Sequence, residues 1–101
     1  MLPLSGSGIK GDVWDTETWA RLPGAQVTWK TKEAGDILGT DETPTGHYEI
    51  LGEEWWAGFE GQTLVPEVVV EGYETTTVVE IEDYQYGIWY EHQDIYMTPE
   101  P

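Results

Sequence analysis

The sequence predicts an all-β protein, a seven-stranded antiparallel sandwich of two sheets. Apolar and polar residues alternate in short runs along the chain, which is the period of strands that bury one face. Clusters rich in Gly, Pro, Asp and Thr separate these runs and are typical of turns. No segment keeps a 3.6-residue period, so we expect no long helix.

The length of 101 residues suits a single domain. We expect a flexible or subunit-docking arm over residues 1–8, the sandwich over residues 9–98 and a tail over residues 99–101. The arm reads MLPLSGSG and has no basic region and no long apolar stretch, so we do not expect a signal peptide. Its two leucines, Leu2 and Leu4, have no local apolar partner and could dock on a neighbouring subunit or belong to a frayed end.

The first half of the chain predicts four strands. The turn signal Pro23-Gly24 separates the first two, and Val27 and Trp29 alternate on the inner face of the second. The acidic segment from Asp41 to Gly46 is dense in turn residues and precedes the fourth strand, in which Tyr48 and Ile50 alternate on the inner face. These four predicted strands are Ile9 to Asp15, Ala25 to Lys30, Ile37 to Thr40, and His47 to Leu51.

The second half predicts three strands after a loop from Gly52 to Gly61. Alternation in the fifth strand places Val65 and Val69 on the outer face. Pro66 lacks an N–H group, so this strand should lie at a sheet edge or carry a bulge. The predicted strands are Thr63 to Glu71, Thr75 to Glu82, and Ile88 to Thr98.

The composition excludes several classes of partner. Twenty acidic residues face four basic ones, and the net charge of −16 should repel nucleic acids and anionic lipids. No apolar run is long enough to insert into a membrane, and the absence of cysteine excludes disulfides. The charge is explained by solubility, by adaptation to high salt, or by binding of a divalent cation.

Calcium is the one cofactor that the acidic residues suggest. Two clusters offer hard oxygen ligands, although neither has the spacing of an EF-hand loop. The candidate ligands are Asp41, Glu42, Glu80, Glu82 and Asp83.

An enzyme is not expected. His47 and His92 are the only histidines, and both suit ordinary strand positions. Ser5 and Ser7 are the only serines and lie in the arm, where a nucleophile would lack a rigid platform. There is no HExxH motif and no Gly-rich phosphate loop.

Aromatic residues are the main indication of function. Six Trp and six Tyr are more than a domain of this size is expected to bury, and exposed aromatic patches mark interaction surfaces. The alternative is that several of them extend the core around the loops. The candidate interface or ligand residues are Leu2, Leu4, Trp14, Trp19, Trp55, Trp56, Phe59, Val65, Val69, Tyr84, Tyr86 and Trp89.

The order of several short motifs resembles the carboxypeptidase regulatory-like domain, a transthyretin-like (prealbumin-like) sandwich with an immunoglobulin-like arrangement of strands. The motifs are Gly11-Asp12-Val13-Trp14-Asp15, Leu22-Pro23-Gly24-Ala25-Gln26-Val27, Gly46-His47-Tyr48 and Gly72-Tyr73. Gly24 would permit a tight entry into the second strand, and the Tyr73 hydroxyl would reach a backbone group at a corner. The resemblance implies a non-catalytic domain, because the family's peptidase activity lies in another domain.

Together these observations predict a self-assembling structural subunit of an extracellular filament, a surface layer or a virion surface. Homo-oligomers or homopolymers would be held by aromatic contacts and by pairing of the arm with the exposed edge strand of a neighbour. The alternative is a carbohydrate-binding accessory domain, in which sugar rings stack on exposed Trp side chains.

Overall fold

A computed structural model describes residues 7–77 and 79–101, with the side chains of residues 76 and 77 left aside. The part of the chain that it describes forms eight strands and one short 3₁₀-helix. The elements are β1 (Gly8–Asp15), β2 (Ala25–Thr31), β3 (Ile37–Thr43), β4 (His47–Leu51), the 3₁₀-helix η1 (Glu54–Phe59), β5 (Leu64–Val69), β6 (Tyr73–Thr77), β7 (Trp89–Tyr90) and β8 (Ile95–Pro99).

The strands form two sheets, which confirms the all-β sandwich. The larger sheet has the order β4-β1-β8-β6 with β7 also on β1, and the smaller sheet has the order β3-β2-β5. The expectation of a wholly antiparallel arrangement is wrong, because β1 runs parallel to both β7 and β8. Alternation shows which face of a strand is buried but carries no information about the direction of its neighbour.

Several predicted strand limits change. The predicted strand from Ile88 to Thr98 is divided into β7 and β8, so the described residues form eight strands where the sequence predicted seven. His92 has a φ of 60° in the break, and Gln93 donates its backbone N–H to the Lys10 carbonyl at 3.0 Å. The predicted strand from Thr75 to Glu82 is observed as Tyr73–Thr77, with Ile81 forming only an isolated bridge.

The core lies between the sheets and is rich in aromatic residues. Trp29 and Tyr48 are completely buried, as alternation predicted for both. The Trp29 Nε1–H donates to the Tyr48 hydroxyl at 3.1 Å, and that hydroxyl donates to the Gln93 carbonyl at 2.6 Å. Burial raises the pKa of Tyr48, so the hydroxyl stays neutral and continues to donate.

Asp15 joins the end of β1 to the corner before β6. Its Oδ2 accepts a hydrogen bond from the Tyr73 hydroxyl at 2.8 Å, and its Oδ1 accepts from the backbone of Glu17 at 2.7 Å and of Thr18 at 3.2 Å. The bond from Tyr73 is the main cause that lowers the pKa of Asp15. The corner tyrosine therefore reaches a side-chain carboxylate, where the resemblance implied a backbone group.

The pairing of β1 with β4 defines two ends of the sandwich. Gly8 pairs with Leu51 at one end, which also carries η1, and we call it the η1 end. The other end begins at Asp15, where β1 stops, and we call it the Asp15 end. The Ser7 carbonyl accepts from the Gly52 N–H at 2.9 Å, so the chain enters the fold at the η1 end.

Candidate functional site

Large apolar side chains are exposed at several places on the described surface. Six of them are between 46% and 64% exposed. Apolar residues that are exposed singly are common, whereas a group of them in one patch indicates an interaction surface. The six residues are Trp19, Ile37, Leu51, Trp55, Val69 and Ile88.

Trp19 projects from the turn that follows β1 at the Asp15 end. Its φ of 59° is an unfavourable backbone conformation for a bulky residue, and its indole is 64% exposed. Two contacts hold it in place: its N–H donates to the Asp15 carbonyl at 2.8 Å, and its ring meets Tyr96 edge-on with centroids 6.2 Å apart. We call Trp19, with Tyr96 beside it, the Trp19 knob.

A groove lies at the opposite end of the sandwich, between the end of β4 and η1. Its cavity volume is about 550 Å³, and its apolar walls are Leu51 and Trp55, which are 63% and 49% exposed. Trp55 is supported by edge-on contacts with Trp56 and Phe59, with centroids 6.3 Å and 5.9 Å away. We call this feature the Leu51–Trp55 groove; its lining residues are Leu51, Gly52, Glu53, Glu54 and Trp55.

The strand β5 forms one edge of the smaller sheet, as Pro66 predicted. Leu64 exchanges both backbone hydrogen bonds with Ile81 on the side away from β2. Pro66 lies two residues on, so its missing N–H falls on the same outer edge and removes no bond to β2. Val65 is half-buried and Val69 is 59% exposed on the outer face, which confirms the predicted alternation.

Trp56 and Tyr84 were expected at the surface and are instead part of the core, with exposures of 0% and 1%. Successive residues of a 3₁₀-helix point about 120° apart, so Trp55 faces out while Trp56 faces in. Tyr84 packs against Trp56 with ring centroids 6.3 Å apart, and burial raises its pKa to about 12. Neither the Trp56 Nε1 nor the Tyr84 hydroxyl has a hydrogen-bond partner among the described residues.

The remaining predicted aromatic residues are partly buried. Trp14 donates its Nε1–H to Asp94 at 3.1 Å, and the Arg21 guanidinium lies over its ring at 5.6 Å. Trp89 belongs to β7 and has the Lys10 ammonium over its ring at 4.9 Å. Phe59 and Tyr86 pack against the core, and Leu2 and Leu4 lie outside the described residues.

Charged residues form a cluster on the outer face of the larger sheet that the sequence did not indicate. The Asp12 carboxylate contacts His47 Nδ1 at 3.0 Å and Arg21 Nε at 3.3 Å, while His47 Nε2 lies 3.4 Å from Glu49. The Arg21 and His47 side chains here already face carboxylates, so the cluster mainly ties the turn after β1 to β4.

The predicted calcium ligands do not converge. Asp41 accepts a hydrogen bond from the Glu49 backbone at 2.9 Å, and Glu80 pairs with Lys32 at 3.1 Å. Glu42, Glu82 and Asp83 are exposed. Within the described ranges no three His, Cys, Asp or Glu side chains are placed to hold a metal ion.

Sequence reasoning missed three exposed apolar residues, Ile37, Leu51 and Ile88. Leu51 had a usable signal, because Tyr48 and Ile50 were predicted to face inward and the next residue must then face outward. Ile37 and Ile88 stand beside turns, where alternation gives no orientation.

The comparisons with known proteins leave the chain without an assigned family. A scan against protein-family models finds no match, and a search of the curated proteins finds none either. Across the described residues, no helix has the length and apolar character needed to span a bilayer.

Proposed function

We propose that this chain is a non-catalytic structural module that assembles with copies of itself, as a subunit of an extracellular filament, a surface layer or a virion surface. The observation that carries the proposal is the exposure of Trp19 at one end of the sandwich and of Leu51 and Trp55 at the other. Aromatic anchors such as Trp supply much of the binding energy at protein interfaces. Burying them between copies removes an exposed apolar surface that costs free energy in water.

The exposed side of β5 adds a second, weaker route to association. Val65 and Val69 face outward from this edge strand, and an apolar edge is prone to pair with another chain unless it is protected. Pro66 removes one donor from that edge and limits how regular such pairing can be. Edge pairing would therefore supplement the aromatic contacts.

We also propose membership of the carboxypeptidase regulatory-like, transthyretin-like family. Support comes from residues of the matched motifs. Gly24 has a φ of 85° at the entry to β2, as a tight turn there requires. Ala25 and Val27 are completely buried between the sheets, and Tyr73 occupies the corner before β6.

Sedimentation velocity and negative-stain microscopy test the assembly. At about 0.1 M salt, where charge repulsion is screened beyond about 10 Å, the protein should sediment as species larger than its 11.4 kDa mass. Runs with and without calcium test whether a divalent cation promotes the contact between acidic subunits. A single 11.4 kDa species at all concentrations and in both conditions would refute the proposal.

A carbohydrate-binding accessory domain is the second candidate, favoured by the surroundings of Trp19. Its exposed ring stands beside Tyr96, and the hydroxyls of Thr16 and Thr98 meet at 2.8 Å on the same sheet. Flat aromatic faces next to hydroxyl groups suit a sugar ring. Retardation of the monomer in a polysaccharide gel, abolished by Trp19→Ala or Trp55→Ala, would support this function; unretarded migration across a glycan panel would exclude it.

A further inference from the structure

We infer that the Trp19 knob of one copy inserts into the Leu51–Trp55 groove of the next copy, so that subunits join head to tail. The inference rests on the proposed self-assembly and specifies its contact. It commits to a second copy of this chain as the occupant of the groove.

The positions of the two surfaces favour a propagating contact. β1 runs from Gly8, beside Leu51, to Asp15, which holds the turn bearing Trp19. Eight strand residues separate the two ends by about 23 Å. A contact between different surfaces at opposite ends leaves a free knob and a free groove on every complex, so it extends into a filament unless the rotation closes a ring.

The shapes of the two surfaces also match. The knob is one indole, 64% exposed, at a backbone position with a φ of 59° and with its ring edge-on to Tyr96. The groove has a cavity volume of about 550 Å³ and apolar side chains on its two walls, which leaves room for an indole ring. An indole fixed in this way loses little conformational freedom on binding.

Charge supports the pairing of these two ends. Glu53 and Glu54 line the groove. Arg21 follows Trp19 by two residues, and its side chain is 51% exposed although Nε contacts Asp12. The other described basic residues lie outside this turn: Lys10 lies over the Trp89 ring, Lys30 pairs with Glu67 and Lys32 pairs with Glu80. The exposed part of the Arg21 side chain would approach the two glutamates when the knob enters the groove. It would offset part of the repulsion between acidic subunits, to which the exposed Glu17 in the turn of Trp19 also contributes.

The segment before Ser7 is the competing occupant. Ser7 bonds to Gly52 in the groove wall, so the described part of the chain begins beside the groove. Leu2 or Leu4 of the same chain or of a neighbour could then fill the groove instead of Trp19. The experiment below separates these occupants.

Two variants each remove one half of the contact. Trp19→Asn deletes the indole and keeps a residue that tolerates positive φ, so the turn should still form. Leu51→Asp places a charge in the groove at a position that is 63% exposed. Each should raise the concentration needed for assembly at least about tenfold, as measured by sedimentation velocity. Ile37→Ala, at a residue 60% exposed outside both surfaces, is the matched control and should assemble like the parent.

Mixing the two variants gives the decisive measurement. The knob of Leu51→Asp can enter the intact groove of Trp19→Asn, and neither partner can extend the complex further. The 1:1 mixture should therefore stop at a dimer of twice 11.4 kDa, while each variant alone stays monomeric. Circular dichroism and thermal midpoints close to those of the parent protein verify that both variants are folded.

Several results would overturn the inference, and each has a distinct meaning. Parent-like assembly of Trp19→Asn, or a mixture of folded variants that stays monomeric, refutes the knob-and-groove contact while self-assembly itself stands. Loss of assembly on deleting residues 1–6, with Trp19→Asn unaffected, makes the N-terminal segment the occupant. A parent protein that never assembles refutes the proposed function together with the contact.

Discussion

Replacing Tyr48 by Phe should destabilise the fold by an amount that the core geometry sets. The substitution removes one oxygen that accepts from Trp29 Nε1 at 3.1 Å and donates to the Gln93 carbonyl at 2.6 Å. Both rings are completely buried, so no water replaces the lost acceptor for the indole N–H. An unsatisfied buried donor costs about 1–3 kcal/mol, and we expect a loss of about 2 kcal/mol in the free energy of unfolding.

Thermal and urea unfolding measure this loss directly. For a domain of about 100 residues, 2 kcal/mol corresponds to a decrease in Tm of about 8–16 °C. The urea midpoint should fall while the slope of the transition stays constant, because the surface exposed on unfolding does not change. Tyr90→Phe is the control, since its hydroxyl only accepts an exposed bond from the Gln85 backbone at 2.9 Å. If Tyr48→Phe unfolds within about 0.5 kcal/mol of the parent protein, the hydroxyl does not bridge the core as described.

Three further predictions concern the acid range, η1 and one turn. The pKa of Asp15 is lowered in the folded protein, so its contribution to stability is present above its unfolded pKa of about 3.9 and is lost as the pH falls through the folded pKa. Tyr73→Phe should therefore reduce the fall in Tm at acid pH. An unchanged fall in Tm would contradict the assignment. Trp56→Ala should lower the free energy of unfolding in urea by about 3–5 kcal/mol, and Trp55→Ala should lower it by less than about 1.5 kcal/mol. Equal losses for the two variants would contradict the observed orientation of η1. Gly46→Ala should lower the free energy of unfolding by more than about 1 kcal/mol, because φ is 91° at Gly46 and an added Cβ would lie 2.9 Å from the Leu22 backbone nitrogen. Thermal unfolding measures this loss, and an unchanged stability would argue against the conformation of this turn.

The sequence predicted best the strands whose alternation is flanked by turn residues on both sides. The limits of β4 agree with the prediction, and those of β1 and β2 differ by one residue at one end. The sixth predicted strand failed because alternation continues through Val79 and Ile81, where the backbone has left the sheet. The local pattern indicates which face of a strand is apolar, whereas the pairing that defines a strand depends on residues that are distant in the sequence.

The candidate surfaces were predictable only in part, for a similar reason. The period of two placed Val69 at the surface correctly. The period of two could not distinguish the exposed Trp55 from the buried Trp56, because the segment GEEWWAGFEG does not alternate as a strand does. The 3₁₀-helix in this segment is too short for its three-residue period to be visible in the sequence. The groove beside Leu51 depends on how β4 and η1 meet, which the residues of neither segment specify.

The parallel pairing of β1 with β8 has a mechanical consequence. β1 starts at Gly8 at the η1 end, and β8 finishes at Pro99 at the Asp15 end. Tension between these two residues would pull the adjacent strands past each other along their length. The hydrogen bonds between them, together with the bond from Thr16 to the Met97 carbonyl at 2.9 Å, would then share the load and break together, not one after another. Forced unfolding is governed by the unfolding rate, so this arrangement would resist tension applied along β1 and β8 more than tension applied across them.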